Sequence, residues 1–172
     1  MSKNLYIVEG DIEKNFVENM KRCNCIKLGK CVIFNIMQNI IKPTNSIVSK
    51  TYNEIFCIID TDCKEEHNLE TLLKNIECLK SIGDVVIFVQ CENFEDELSY
   101  MLQCSSFELY QKFNIRYQTK KDLKKFLADK IVYSKYIKQS HIKRYCSRPE
   151  NFKRLISSKN INIRNGIYLI NK

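Results

Sequence analysis

Short apolar runs alternate with amphipathic stretches along most of this chain. Residues 5–8, 54–59 and 84–89 are almost wholly apolar over the length of a strand, which is typical of strands covered on both faces. Residues 31–36 form a less regular run, which residues 37–41 either extend or follow as a short helix. The intervening stretches carry apolar residues at helical spacing. This alternation predicts an α/β fold, a mainly parallel, Rossmann-like sheet flanked by helices.

The pattern becomes helical and basic from about residue 106. Its apolar positions repeat at helical spacing, at Leu123, Phe126, Leu127 and Ile131. A last apolar run at residues 166–170 is predicted to form a closing strand. We therefore expect a core at residues 1–105 and a basic, mostly helical extension at residues 106–172, packed together as one compact unit.

Acidic residues follow two of the predicted strands at the point where each strand ends. Glu9 comes directly after the first run, and Asp60 and Asp62 end another. Residues two apart in a strand point to the same side, so both aspartates can face one ion. Glu13 lies one helical turn beyond Glu9, and Gly10 allows a sharp turn between them. Carboxylates brought together repel one another, and Mg²⁺ is a cation that such oxygen ligands bind.

The charge of the chain is divided unevenly. The net charge of +8 separates into −6 for residues 1–109 and +14 for residues 110–172. A basic surface beside an acidic centre favours a nucleic acid partner, although single lysines also serve as the solvated faces of helices. Tyr145 and other tyrosines among the basic residues either stack on bases or are half-buried aromatics. The candidate nucleic acid contacts are Lys120, Lys121, Lys124, Lys125, Lys143, Arg144 and Arg148.

The sequence carries no signal for export and no membrane-spanning run, so we expect a cytoplasmic protein without a membrane partner. Nine cysteines are present, and we expect most of them to be reduced. Cys23, Cys25 and Cys31, or Cys63 with His67, are the nearest approach to a zinc site. Neither group has a second well-spaced pair of ligands, so we do not expect zinc.

Three segments resemble the TOPRIM domain, the magnesium-binding fold of topoisomerases, bacterial primases, OLD-type nucleases and small ribonucleases. They are Ile-Val-Glu-Gly at residues 7–10 with Glu13 downstream, Ile-Ile-Asp-Thr-Asp at residues 58–62, and Gln-Cys-Glu-Asn-Phe-Glu at residues 90–95. The first is similar to the nuclease branch. The third resembles a Phe-Glu motif of RloB-like TOPRIM proteins, which occur with bacterial restriction and anti-phage loci. The resemblance covers roughly residues 5–103.

The resemblance implies a role for each matched acid. Asp60 and Asp62 would bind Mg²⁺ or Mn²⁺, and Glu9 would share in binding or act as general acid or base. Glu13 and Glu95 would complete a second metal position, so that one or two ions are bound. The family segment usually has a proline before the Phe-Glu pair and an aromatic residue, often Trp, soon after it. This chain has Glu92 and Asn93 before the pair and no Trp anywhere, so Glu92 or Glu97 remains an alternative to Glu95 as the acid that faces the metal.

These features together predict a small TOPRIM-type nuclease that hydrolyses DNA or RNA, with Glu9, Asp60, Asp62 and Glu95 as catalytic residues. The chain is too short for the additional bodies of a topoisomerase or primase. One alternative is a non-catalytic TOPRIM-like subunit that binds nucleic acid or a nucleotide in a defence complex, beside a partner such as an ATPase. A receiver-like signalling domain is disfavoured, because Gln90 stands where such domains have Ser or Thr.

Overall fold

A computed structural model describes residues 3–61, 66–115, 119–129, 133–148, 152 and 161–170. Within these residues, four strands form one parallel sheet: β1 (Asn4–Val8), β2 (Lys30–Ile33), β3 (Glu54–Asp60) and β4 (Asp84–Gln90). Their order across the sheet is β2-β1-β3-β4. The prediction of an α/β fold with a parallel sheet flanked by helices is therefore confirmed.

Seven α-helices and one 3-10 helix are found in the described residues. The α-helices are α1 (Asp11–Arg22), α2 (Glu66–Lys80), α3 (Phe94–Leu102), α4 (Ser106–Lys112), α5 (Lys120–Leu127), α6 (Tyr133–Tyr136) and α7 (Gln139–Ile142), and the 3-10 helix is Gly166–Leu169. None of the helices in the described ranges combines the length and the apolar character needed to cross a bilayer.

The sheet is buried on both faces, which explains why its strands are almost continuously apolar. Tyr6 and Phe56 point to one face, where they pack against α1, α3, α4, α5 and α7. Ile7 and Cys57 point to the other face, where they pack against α2 and the irregular segment at residues 36–47. Burying one such large apolar side chain contributes about 1.5–3 kcal/mol. Packing on both faces therefore stabilises the sheet.

Two local predictions near β2 needed correction. The strand predicted at residues 31–36 ends at Ile33, because the Asn35 side chain accepts hydrogen bonds from the backbone N–H groups of Met37 and Gln38 (both 3.0 Å). These bonds stabilise a turn directly after the strand. The turn lies at residues 36–38 and a bend at residue 39 follows, so residues 37–41 neither extend the strand nor form a helix.

The prediction of a closing strand at residues 166–170 is wrong, because the segment forms the 3-10 helix Gly166–Leu169. The side chain of Asn165 caps this helix. The strand-like contact lies just before it, where Ile163 forms a single parallel bridge with Ile87 of β4. The end of the described chain therefore covers the β4 edge of the sheet, but with one bridge in place of a strand.

The winding of the chain reverses between β1 and β3. From β1 the chain passes through α1 to β2 at one edge, and from β3 it passes through α2 to β4 at the other. The two helices lie on opposite faces of the sheet. In open α/β sheets, the crevice beyond the carboxyl ends of two such strands is the usual position for a ligand. The carboxyl ends of β1 and β3 are thus the first place to look for a site.

Candidate functional site

Glu9 lies directly after β1, at the crevice between β1 and β3. Its Oε2 accepts a hydrogen bond from Nδ2 of Asn35 (2.9 Å), and its Oε1 accepts one from the backbone N–H of Asp60 (3.1 Å). Glu9 therefore connects the turn after β2 with the end of β3. These two bonds orient the carboxylate group at the crevice.

Asp60 is the last residue of β3 and pairs in register with Gln90 of β4. Its side chain is half-buried, and its Oδ1 is inaccessible to solvent. Beneath it lies Tyr145, whose pKa is raised well above its ordinary value mainly by burial and further by nearby groups that include Glu13 and Asp60. Carboxylates from α1 and β3 therefore lie within electrostatic reach of the same buried hydroxyl.

Glu13 and Glu95 form a second pair of acids beside the first. Glu13 is 8% exposed in the first turn of α1, and its Oε2 lies 3.1 Å from the position that a Cβ on Gly10 would take. The pKa of Glu13 is raised, mainly by burial and also by the charge of Glu95. Backbone hydrogen bonds to Glu13 and Gly10, together with the charge of Lys124, lower it in part. The charges of the two carboxylates therefore oppose each other.

Lys124 provides a positive charge next to this second pair. Its Nζ lies 3.7 Å from Oε1 of Glu95, whose side chain is only 17% exposed. That oxygen is buried and accepts no hydrogen bond from the described residues. The ammonium group of Lys124, a candidate nucleic acid contact, thus pairs with a candidate metal ligand.

The three candidate acids that follow β4 have different surroundings. Glu97 is fully buried and accepts hydrogen bonds from the backbone N–H groups of Cys91 (3.3 Å) and Cys146 (2.7 Å) and from Arg148 (3.5 Å). These bonds connect α3 to Cys91 after β4 and to the segment after α7, so the role of Glu97 is structural. Glu92 is exposed and has a left-handed backbone, with φ of 68°. Of the three, Glu95 is the one whose charge raises the pKa of Glu13.

Sequence reasoning missed the residues that hold this edge together. The Thr61 hydroxyl donates to the Gln90 carbonyl (3.0 Å) and accepts from the backbone N–H of Glu92 (2.9 Å). The side chain of Gln90 donates to the hydroxyl of Tyr145 (2.7 Å). Thr61 and Gln90 lie within the segments that resembled the family, so their position was the available signal. Nothing in the local sequence marked Asn35.

Tyr145 itself has a structural role. It is completely buried and packs against Phe16, with 5.2 Å between ring centroids. Both readings of Tyr145 from the sequence are therefore wrong: it is not available to stack on a base, and it is not half-buried with a solvent-exposed hydroxyl.

The predicted basic contacts fall into separate groups. Lys120 is the first residue of α5, and Lys121 and Lys125 on the same helix are exposed. Lys143 is exposed and Arg144 half-buried after α7. Arg148 is exposed, and its Cζ lies 3.8 Å from the ring centroid of Tyr100.

The pKa of His141 indicates that the surface near Arg144 is positively charged. The pKa of His141 is lowered, first by burial and then by the charges of Lys112, Arg144 and Lys138. Residues of α4 and of the segment around α7 therefore combine to form one basic cluster. A polyanion is the partner that such a cluster would attract.

The structure describes all of the predicted metal ligands except one. Asp62 lies outside the described residues. Among the residues that are described, no group of three or more His, Cys, Asp or Glu side chains is close enough to hold one ion. Mg²⁺ usually needs only one or two carboxylates, with water and substrate phosphate completing its octahedron. The pairs Glu9 with Asp60 and Glu13 with Glu95 are hard oxygen donors of this kind.

The cysteines in the described residues are all free thiols. Cys23, Cys25 and Cys31 are among them, and Cys63 lies outside the described part of the chain.

Comparison with known proteins gave no assignment: no family model, no curated protein and no solved structure matches this chain.

Proposed function

We propose that this protein is a metal-dependent nuclease of TOPRIM type, related in its site to RloB-like and OLD-type nucleases and working with a bacterial anti-phage or restriction system. One observation supports this most strongly. The carboxylate of Glu9 and the end of β3 at Asp60 are hydrogen-bonded to each other across the crevice where the winding of the sheet reverses. A carboxylate fixed at such a crevice is suited to hold a cation and a phosphate.

The residues present fit Mg²⁺ or Mn²⁺. Glu9 and Asp60, with Asp62 next along the chain, would hold one ion, and Glu13 and Glu95 would hold a second. When bound, such ions lower the pKa of water and stabilise the charge that develops on a phosphodiester. Hydrolysis adds water across one P–O bond and leaves a phosphate monoester and a free hydroxyl, so no side-chain nucleophile is required.

Residues of the chain itself contribute orientation and charge compensation. Asn35 fixes the carboxylate of Glu9 through its 2.9 Å hydrogen bond. Thr61 holds the end of β3 against the loop that leads to Glu95. Charge repulsion between Glu13 and Glu95 favours binding of a cation between them. The exposed lysines of α5 and the basic cluster around His141 supply the attraction for a polyanionic backbone.

A cleavage assay on a panel of substrates tests the proposal. Single-stranded RNA, transfer RNA, plasmid DNA and linear DNA are incubated with purified protein and either Mg²⁺ or Mn²⁺. We expect at least one substrate to be cut and the cutting to stop with a chelator. Glu9→Gln and Asp60→Asn should each lower the rate by at least about 100-fold, because each removes a carboxylate that directly contacts the ion.

The matched control is Glu70→Gln, which neutralises an exposed acid on α2 and should cut at the wild-type rate. Circular dichroism establishes that each variant is folded. Cutting that survives both Glu9→Gln and Asp60→Asn would mean that the activity comes from elsewhere, and the proposed site would be rejected.

A second function is favoured by one specific observation. Both oxygens of Glu9 already accept hydrogen bonds, and Glu95 already has Lys124 as a partner. This arrangement also suits a non-catalytic subunit that binds nucleic acid or a nucleotide beside a partner such as an ATPase. Every substrate remaining intact under all conditions, with nucleic acid still bound, is the result that would select this function.

A further inference from the structure

A cleft of about 390 Å³ opens on the outer side of the loop between β4 and α3. This volume lies within the range of small-molecule sites. Three serines contribute to its lining, and the other lining residues are Cys91, Glu92, Asp96, Tyr100, Cys104 and Arg148. The cleft is distinct from the acidic edge but shares a loop with it, because the segment that runs from Gln90 to Glu95 forms part of its wall.

A flat cationic surface forms one side of the cleft. The guanidinium of Arg148 lies over the ring of Tyr100, with Cζ 3.8 Å from the ring centroid. Arg148 is also 3.5 Å from the fully buried carboxylate of Glu97, and the Tyr100 hydroxyl accepts a hydrogen bond from Ser147 (3.2 Å). Both groups are therefore held in place before any ligand arrives. Planar guanidinium and aromatic groups of this kind stack well on nucleobases.

The charge of the cleft argues against a phosphate group as its ligand. Glu92 and Asp96 contribute two carboxylates, whereas Arg148, the only cation among the lining residues that the structure describes, is already paired with Glu97. A phosphate would meet net negative charge. A planar, uncharged group that donates hydrogen bonds would instead meet two acceptors and a stacking surface.

We propose that this cleft binds an unpaired nucleobase with an exocyclic amino group, with the base stacked at Arg148 and Tyr100 and the amino group donating to Glu92 or Asp96. Adenine, cytosine and guanine have such a group, whereas uracil and thymine do not. The inference rests on the proposed function in that it takes the substrate to be a nucleic acid. It adds a source of base preference: the cleft would select the nucleotide next to the acidic edge.

Backbone contacts connect the cleft to the acidic edge. The backbone N–H of Glu92 donates to Thr61, and the backbone N–H of Thr61 donates to the carbonyl of Glu92 (3.2 Å). Thr61 directly follows Asp60. An occupied cleft would therefore stabilise the same loop that places Glu95 in the site.

Titration of the ¹⁵N-labelled full chain with cytidine or uridine 5′-monophosphate, without divalent metal, tests the inference. The two nucleotides have the same phosphate and nearly the same shape, and only cytidine has the amino group. We expect cytidine to shift the amide signals of Cys91, Tyr100 and Cys104, and to bind about three- to tenfold more tightly than uridine. The variant Glu92→Gln, Asp96→Asn should lose this preference, and Glu70→Gln should keep it.

Several results would overturn the inference. Equal affinity for the two nucleotides would rule out recognition of the amino group, and shifts confined to the basic cluster around His141 would place the nucleotide elsewhere. The titration is independent of cleavage, because it uses no metal. Asp60→Asn should therefore keep the preference for cytidine. If the protein prefers cytidine in the titration but cuts no substrate, the proposal for the cleft stands and the nuclease proposal is rejected. If the protein cuts nucleic acid but shows no preference for cytidine, only the proposal for the cleft is rejected.

Discussion

The carboxyl group of Glu13 is held where its charge opposes folding. It is buried beside Glu95, and its pKa lies above the ordinary value of 4.5. The folded protein therefore binds the Glu13 proton more tightly than the unfolded chain does. This contribution to stability is complete below the ordinary glutamate pKa and is lost as the pH rises through the folded-state pKa. Such strained charges are typical of functional sites.

Replacing Glu13 with glutamine should stabilise the metal-free protein at neutral pH. Glu13→Gln keeps the shape of the side chain and removes the charge, so we expect roughly 0.5–2 kcal/mol of added stability at pH 7. The gain should shrink to zero as the pH falls to about 4, where the wild-type side chain is protonated too. Urea unfolding followed by circular dichroism across this pH range measures the difference.

Asp11→Asn is the control, because Asp11 is an exposed acid in the same helical turn. Its loss should lower stability slightly through the helix dipole and should not reproduce the gain expected for Glu13→Gln. A Glu13→Gln variant that is less stable than the wild type at neutral pH would contradict the placement of this acid.

The sequence was sufficient to locate the acids but not their supports. Glu9 and Asp60 were predictable because both follow strands whose carboxyl ends meet at one edge. Asn35 and Tyr145 were not, because each acts through a partner that is distant in the chain, 26 residues away for Asn35 and 55 for Tyr145. Long-range hydrogen bonds of this kind leave no local pattern.

At the scale of elements, α5 connects the acidic edge with the basic part of the chain. Lys124 on α5 pairs with Glu95, whereas Lys121 on the same helix is exposed and takes no part in this contact. The ammonium group of Lys124 occupies the neighbourhood in which a second cation would bind. Metal binding at Glu13 and Glu95 therefore has to compete with this ion pair.

Removing the charge of Lys124 should strengthen metal binding. Lys124→Gln should raise the affinity for Mn²⁺ by roughly two- to fivefold, which corresponds to the free energy of a partly exposed ion pair. Isothermal titration calorimetry measures the affinity, and Lys121→Gln should leave it close to the wild-type value. A weaker affinity in Lys124→Gln would indicate that the lysine supports the ion and does not compete with it.

Strands β1, β3 and β4 and helices α1 to α3 were predictable, because burial of both faces produces a continuous apolar run and burial of one helix face produces helical spacing. The 3-10 helix Gly166–Leu169 was not. Its apolar residues fit a strand equally well, and its conformation depends on the Asn165 cap and on how closely Gly166 approaches other parts of the chain. Tertiary contacts therefore determine the conformation of this segment.

At the scale of the whole molecule, the last described segment is fixed to the core through Gly166. A Cβ at this position would collide with the carbonyl oxygen of Ile142 and lie 2.8 Å from Cβ of Tyr145. The backbone N–H of Gly166 also donates to the carbonyl of Tyr145 (2.6 Å). Tyr145 in turn supports Gln90 beneath the acidic edge. The segment after residue 160 therefore contributes to the shape of the site.

Gly166→Ala should destabilise the protein by roughly 1–3 kcal/mol, because a backbone carbonyl has no room to move away. Gly10→Ala is the informative comparison. A Cβ at Gly10 would meet only the flexible end of Glu13, at 3.1 Å. Gly10→Ala should therefore change the affinity for metal more than it changes the free energy of unfolding. Thermal unfolding of both variants measures the effect, and equal stability of Gly166→Ala and the wild type would reject this packing.

Direct measurement of bound Mn²⁺ by electron paramagnetic resonance tests the central claim, that the acids at the ends of β1 and β3 hold a divalent cation. The signal of free Mn²⁺ is recorded as wild-type protein, Asp60→Asn or Glu70→Gln is added. We expect the wild type and Glu70→Gln to bind one or two ions, and Asp60→Asn to lose at least about tenfold in affinity. Wild-type protein that leaves the signal of free Mn²⁺ unchanged, or an Asp60→Asn variant that binds as tightly as the wild type, would show that these acids do not hold the cation.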